Sequence, residues 1–259
     1  MHITTKQVNA ALRELRTAHQ DGNLDDVYRS VAGRTVGNYS LSGKLLVLTV
    51  EYLLLSKPGS KFEMPPATIK RLRKGLSTDA DRLSLRFAHT FDARGQTWLA
   101  TTNGHIMLAV PTDLQPGMAV VLYPNQSRAS AFYLGEAVAN ATHSVAGLPD
   151  KDTTLKAPDM ACIVNPTFEY PRKPLDRFRK FAASDMNGKD VTGVELVSAD
   201  GKLAVVVDDR YHKAITSYPE LLLATGVSPV QPVLFSGGCD KTFAICMPMA
   251  IKAKEDGTR

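Results

Sequence analysis

His105 follows an Asn-Gly pair in the run Ala100-Thr101-Thr102-Asn103-Gly104-His105-Ile106-Met107-Leu108. Asn-Gly between two apolar runs is a strong hairpin signal, so the imidazole is delivered beside a tight turn. A ring in that position can act as a general base, bind a metal, recognise a partner or simply pack. The sequence offers it no obvious partner acid or cysteine. Structural, recognition and catalytic roles all stay open on these residues alone.

The other chemistry-bearing groups are less organised. Asp25-Asp26, Asp79 with Asp81, and Asp208-Asp209 read as solvated turns or strand ends. The DxD spacings, such as Asp79-Ala80-Asp81, have no histidine beside them and no ExxH occurs, so none brings acids to a histidine for metal chemistry. Cys162, Cys239 and Cys246 are scattered, without a CxxC or a Cys/His cluster, so they read as reduced, partly buried thiols. Ser236-Gly237-Gly238-Cys239-Asp240-Lys241-Thr242 superficially matches a phosphate loop. It lacks the GxxxxGK[ST] spacing and leads into a strand, which makes it a hairpin turn. Neither a GxSxG elbow nor a GxGxxG loop occurs. The expectation is a protein with no catalytic residues, no metal and no cofactor.

Composition narrows the class. The chain has 259 residues, 44% hydrophobic and 22% charged, ordinary for a soluble globular protein. No apolar run approaches the ~20 residues needed to cross a bilayer, and MHITTKQVNAALREL contains no signal-peptide core. A cytoplasmic location without membrane contact is expected, and the sequons at Asn125 and Asn140 carry no weight there. Net charge is +5 with a pI near 9.0, compatible with a polyanionic partner.

The elements that would position these groups recur along the chain. A strand at His2–Thr4 precedes a helix from Thr5 to about Ala18, with Val8, Ala11, Leu12 and Leu15 on one stripe and Arg13 and Arg16 on another face. Residues 34–57 read as strands. A strand at Lys61–Met64 leads into a helix that begins at Pro65/Pro66 and ends at a Gly75 C-cap. Its buried stripe is Ile69, Leu72 and Leu76, and Lys70, Arg71, Arg73 and Lys74 crowd the other faces. Strands then follow in LSLRFAHTFDA, QTWLATT, HIMLAVP and MAVVLYP. A helix is predicted over Ser127 to about Ala141, short extended pieces over Lys156–Tyr170, and a further basic helix over Pro174 to about Ser184 carrying Arg177, Arg179 and Lys180. TGVELVSADGKLAVVVDD is a hairpin about Asp200-Gly201, and QPVLFSGGCDKTFAICMPMAI is a closing strand–turn–strand. The fold class is α+β, with antiparallel sheets carrying helices on one face. If the repeats place their helices on a common side, the three amphipathic helices with cationic faces build a row able to follow a phosphate backbone.

Three stretches resemble the bacterial DNA-polymerase sliding clamp, the β subunit. Phe62-Glu63-Met64-Pro65 through Leu72 is similar to the strand and helix that open that family's middle domain. Ala100-Thr101-Thr102-Asn103-Gly104-His105-Ile106-Met107 resembles its Ala-Thr-Asp-Gly-His-Arg-Leu motif. Phe243-Ala244-Ile245-Cys246-Met247-Pro248-Met249-Ala250-Ile251 resembles its closing Met-Pro-Met-Arg-Leu. Ile106 stands where the motif has Arg, and Ala250-Ile251 where it ends Arg-Leu.

The resemblance implies repeated clamp domains, with antiparallel sheets outside and helices lining a ring that encircles double-stranded DNA without reading its sequence. It implies a groove for linear peptides of a DNA polymerase or another DNA enzyme, built from Thr102, Gly104, His105, Met107, Ile245, Met247, Pro248 and Met249. Met suits a surface that accepts several related peptides. The implied DNA-facing set is Arg13, Arg16, Lys70, Arg73, Lys74, Arg177 and Lys180. The implied domains are 1–60, a reduced half-domain, then 61–165 and 166–259; length alone gives instead 1–115 and 116–259. A non-enzymatic homo-oligomeric processivity factor is expected, a dimer before a trimer. The basic balance suggests a compact, virus-encoded form. The alternatives are a clamp-fold DNA-binding accessory protein without a closed ring, and an enzyme using His105 as base.

Overall fold

The structure is a computed structural model and describes residues 60–78, 83–123, 128–133, 158–218, 221, 223–237 and 242–252, together with 10, 13, 14, 17 and 21. The chain divides into two compact units, residues 1–91 with 114–158 and residues 92–113 with 159–259. Every described strand pairing is antiparallel. The described residues therefore have the α+β, antiparallel character that the sequence predicts. No helix among them is long and apolar enough to cross a membrane.

In the first unit, β1 (Ser60–Glu63) pairs with β6 (Arg128–Tyr133), β6 with β5 (Met118–Leu122), and β5 with the start of β2 (Ala88–Ala93). Strand β5 is buried throughout, which its unbroken apolar run MAVVL anticipates. Helix α1 (Pro66–Lys74) starts on proline and buries Ile69 and Leu72. Gly75 closes it with φ −83°, so the cap does not use the left-handed conformation that glycine permits. Thr90 ties β2 to the chain ahead of β5: its hydroxyl donates to the Gln115 carbonyl at 2.6 Å and accepts from the Met118 N–H at 2.9 Å.

The second unit is one sheet in the order β3 (Gln96–Thr102), β4 (Ile106–Pro111), β12 (Phe243–Cys246), β11 (Val233–Ser236), β10 (Leu223–Gly226), β7 (Lys173–Asp185), β8 (Asp190–Ser198) and β9 (Ala204–Asp208). A short β13 (Ile251–Lys252) pairs with the far end of β7 at Ser184 and Asp185. Side chains alternate across a sheet. Phe243 meets Trp98 at 4.7 Å and Phe168 at 5.2 Å, which places α2 (Ala161–Glu169) on one face. Phe235 pairs with Ala244, the neighbour of Phe243, and so points the other way, where His212 of α3 (Asp209–Thr216) lies 6.1 Å off.

Two turns show how local chemistry sets the strands. Arg94 and Gly95 both have positive φ, 55° and 72°, giving the turn whose twist matches a hairpin. Arg94 is the one described non-glycine residue in that region, at a cost of about 1 kcal/mol. Its guanidinium lies 4.1 Å over the Phe168 ring, a cation–π contact of comparable size. On β8, Gly193 lies opposite Phe181, and a Cβ there would approach the Phe181 ring to 2.8 Å. The aromatic ring covers the strand where glycine leaves room for it.

Several expectations are corrected. Arg128–Tyr133, within the predicted helix 127–141, is strand β6. Residues 161–169, expected as extended pieces, form α2. Leu83–Arg86 is a 3-10 turn, not the start of a strand. The predicted basic helix over 174–184 is strand β7, paired with β8 from Leu175 to Ser184. Leu175, Phe178 and Phe181 have helical spacing, but nine cross-strand partners outweigh that weak local preference. Leu175 is buried but Phe178 is 65% exposed, so the three do not form one buried stripe. Helix α3 and strand β10 have no counterpart in the sequence reading. The strand at His2–Thr4 and the strands at 34–57 lie outside the described residues.

Burial makes the first unit sensitive to acid. His89 is 1% exposed, and its Nε2 lies 2.5 Å from the Ser84 carbonyl, so Nε2 carries the donated proton. Nδ1 is buried without a hydrogen-bond partner. Burial lowers the His89 pKa from 6.5, against a smaller opposing effect of the Ser84 bond. The unfolded chain therefore takes up the proton first as pH falls. Stability is fully present above pH 6.5 and declines as the solution is acidified towards the lower folded value. Thermal unfolding from about pH 8 to about pH 5 should show this loss, and His89→Gln should flatten it. An acid slope undiminished in that variant would assign the effect elsewhere, to His212 first, whose pKa burial also lowers.

Candidate functional site

The Asn103-Gly104 turn is built by short polar bonds. Asn103 Oδ1 accepts from the N–H groups of His105 and Ile106 at 2.9 and 3.0 Å, and Thr102 Oγ1 accepts from the Gly104 N–H at 3.1 Å. Gly104 takes φ 90°, which only glycine adopts freely. β4 begins at Ile106, so His105 belongs to the three-residue loop and its side chain is exposed. With the loop fixed this way, the His105 carbonyl accepts the Met247 N–H at 2.8 Å. The two motifs, far apart in sequence, are adjacent in space.

The pairing behind that bond orders the rest. Thr102 faces Met107, Met107 faces Ile245, and Ile245 faces Leu234 across three ladders. All of this row lies on the α2 face. Thr102, Met107 and Ile245 are buried, at 8%, 2% and 2% exposure. Of the eight expected groove residues, these three form the floor of the sheet and offer almost no surface. Gly104, His105 and Met247 are exposed, and Pro248 and Met249 are half-buried. The Met249 N–H donates to the Val206 carbonyl at 2.7 Å, which pins the Met-Pro-Met segment to β9.

His105 is held by an aromatic face. Its ring stacks on Tyr211 at 5.4 Å and 16°. Arg210 lies 5.5 Å from the same phenol ring and grips Asp208 through two nitrogens, Nη2 to Oδ2 at 2.6 Å and Nε to Oδ1 at 3.0 Å. Asp208 also caps α3, accepting the Arg210 N–H at 2.8 Å. Burial alone would raise the Asp208 pKa, but the bonds to Arg210 outweigh it and hold the carboxyl below its ordinary value. Cys246, beneath this corner, is buried, and its thiol is pushed up to about 12, so it is no nucleophile at neutral pH.

Beside Met247 lies a cavity of about 240 Å³. Ile163, Pro166, Val227, Pro232 and Met247 make its wall largely apolar, with Arg172 and Gln231 as polar members. Tyr170 and Ile163 are exposed at 52% and 37%. This is smaller than the ~300 Å³ at which drug-sized ligand pockets begin, and suits individual side chains better than a cofactor. The sequence reading missed α2 entirely, and with it this wall. The local signal is mixed: Pro166 inside the segment argues against a helix, while Val164 and Thr167, three apart, share a buried face.

The expected DNA-facing residues divide between the two units, Arg13, Arg16, Lys70, Arg73 and Lys74 in the first and Arg177 and Lys180 in the second. Arg13 is helical and exposed, and Arg16 lies outside the described residues. Lys70 and Lys74 are exposed on α1, and Arg73 is half-buried. Arg177 and Lys180 are on a strand, which corrects their expected place on a helix. Arg177 donates to the Ser198 and Ala199 carbonyls at 2.7 and 2.9 Å, and Lys180 pairs with Asp209 at 3.0 Å. Asp209 is buried and takes Lys213 as a second cation.

No family model matches the chain, and no curated protein does. Among solved structures, it is similar to a DNA-polymerase sliding clamp of Bartonella birtlesii bound to griselimycin, at 14% identity and TM-score 0.42, covering 75% of this chain and 68% of that one. It is similar to DNA polymerase III subunit beta of Borrelia burgdorferi at 11% identity and TM-score 0.44, covering 82% and 67%. A sliding clamp of Caulobacter crescentus gives 13% identity and TM-score 0.40, covering 83% and 69%. The chain thus spans about two thirds of each of these proteins. Likeness of this depth decides neither the fold nor the function, and the functional reading rests on the corner described above.

Asp208→Ala tests how that corner is held. Loss of the cap should cost about 1–2 kcal/mol, a few degrees in Tm by calorimetry. The His105 ring resonances should move as Tyr211 loosens. Unchanged resonances would show that α3 does not fix the ring.

Proposed function

We propose that this protein is a sliding-clamp-like DNA processivity factor and not an enzyme. It encircles duplex DNA as a homo-oligomer, a dimer before a trimer, and tethers a polymerase or another DNA-acting enzyme through a short linear peptide. Topological linkage then raises the local concentration of the tethered enzyme without tight static contacts. The proposed domains are 1–60, 61–165 and 166–259, in a protein of the cytoplasm, of virus-encoded type.

The observation that carries this reading is the Met247 N–H bond to the His105 carbonyl. It joins two of the three stretches on which the clamp resemblance rests, at the edge of an apolar pocket to which Met247 contributes. Peptide recognition by His105, Met247, Pro248 and Met249 follows, with Thr102, Gly104, Met107 and Ile245 supporting them. The stacked imidazole fits recognition better than proton transfer, because its described partner is the Tyr211 ring and not a carboxylate.

A second reading is favoured by a separate observation. Arg177 and Lys180 lie on strand β7 and not on a helix, and Lys180 is paired with Asp209, so the expected row of three cationic helices loses one member. A clamp-fold accessory protein that binds DNA without closing a ring fits this better. Native mass separates the two: an oligomer supports the ring, and a monomer at micromolar concentration supports the accessory protein. On DNA, a closed ring should be retained on circular duplex and lost from the linearised form; equal loss from both excludes it. Lys70→Glu with Lys74→Glu should weaken retention and lower its salt dependence.

A further inference from the structure

The pocket beside Met247 contains two polar groups whose needs the described residues do not meet. Arg172 donates four hydrogen bonds: Nε to Thr225 Oγ1 at 3.0 Å, Nη1 to the Thr167 carbonyl at 2.8 Å, and Nη2 to the Thr225 and Pro232 carbonyls at 2.7 and 2.6 Å. Every acceptor is neutral. The bonds fix the guanidinium as a strut between α2, β10 and the start of β11, but they do not balance its charge, and one N–H of Nη1 remains. Among the described residues, no carboxylate lines the pocket. Burial lowers the Arg172 pKa, with no acid acting in the other direction. The second group is Gln231, whose Oε1 is buried without a hydrogen-bond partner. A buried acceptor left unpaired is costly unless a ligand supplies the donor.

We propose that this pocket captures the C-terminal residue of a peptide, an apolar residue with its free carboxylate, which rests on the reading of the pocket as a peptide groove. The three features in the wall correspond to three groups that one residue carries together only at a chain end. The apolar surface of Ile163, Pro166, Val227 and Met247 takes the side chain, Gln231 Oε1 accepts the backbone N–H, and Arg172 meets the carboxylate. An internal residue has the first two groups but replaces the carboxylate with a neutral amide. The cavity volume also suits side chains better than a larger cofactor. Arg172 is already immobilised by its four bonds, so little further ordering is needed when the anion arrives.

The test uses the full chain and a fluorescein-labelled peptide Gly-Ser-Gly-Ser-Leu-Phe, as the free acid and as the C-terminal amide, read by fluorescence anisotropy. The acid should bind about tenfold or more tightly than the amide, and Met247→Ala should weaken both. Gln231→Glu keeps the side-chain size and adds a negative charge, so it should weaken the acid more than the amide. Arg172→Met should abolish the difference; if that variant does not fold, the comparison of the two peptides on the unaltered protein decides. Equal affinity of acid and amide, with both sensitive to Met247→Ala, would overturn the terminal-carboxylate proposal while the peptide groove stands. Failure of both peptides to bind, or binding indifferent to Met247→Ala, would overturn the proposal and count against the groove itself.

Discussion

The antiparallel pairing of β4 with β12 is the contact on which the second unit depends. Ala109, Leu108, Met107 and Ile106 face Phe243, Ala244, Ile245 and Cys246 in unbroken register, and the next bond in the series is Met247 to His105. All of these eight strand residues are buried. A slip of one residue would turn Phe243 away from Trp98 and Phe168 and bring Cys246 to the α2 face. Register here is therefore enforced by packing on both sides of the sheet. The exposed corner inherits its geometry from that buried ladder.

Charge in this unit is organised for cohesion. Asp209 is buried and would be costly to ionise alone, yet Lys213 and Lys180 together hold its carboxyl below the ordinary value despite that burial. Through Lys180 this joins β7 to α3, and through Asp208 and Arg210 the same helix reaches the ring stacked on His105. On the opposite face Arg172 performs a similar joining role with neutral acceptors. Among the described residues of this unit, Arg172, Lys180, Arg210 and Lys213 are thus each engaged by partners within the fold.

Local signals were legible where chemistry is local. Pro66 and the stripe of Ile69 and Leu72 gave α1, the Asn-Gly pair gave the His105 turn, and Asp200-Gly201 gave the β8–β9 hairpin, where Gly201 has φ 69°. The adjacency of His105 and Met247 was not readable from spacing, since nothing local links them; it entered only through a family resemblance. β7 failed because a three-residue repeat of apolar positions mimics a helix, and what decides its state is a partner strand. α2 failed for the opposite reason: Pro166 inside it argues against a helix, while packing of Phe168 on Phe243 and of Arg94 on Phe168 sustains one. The charges of Arg172 and Lys180 were visible in the sequence, but whether a cation is engaged depends on partners brought by the fold.

The second unit is assembled from two separated stretches of chain, residues 92–113 and 159–259. The β3–β4 hairpin is synthesised well before β12, so one edge of β4 has no intended partner until residues 243–246 arrive. At cellular rates of translation that interval is roughly ten seconds, long against the microseconds a hairpin needs to form. The waiting edge, Ile-Met-Leu-Ala-Val, is apolar and uncharged, the composition that invites pairing with the wrong strand. Yield on expression should thus be governed by the fate of an unfinished hairpin during synthesis more than by the stability of the finished protein.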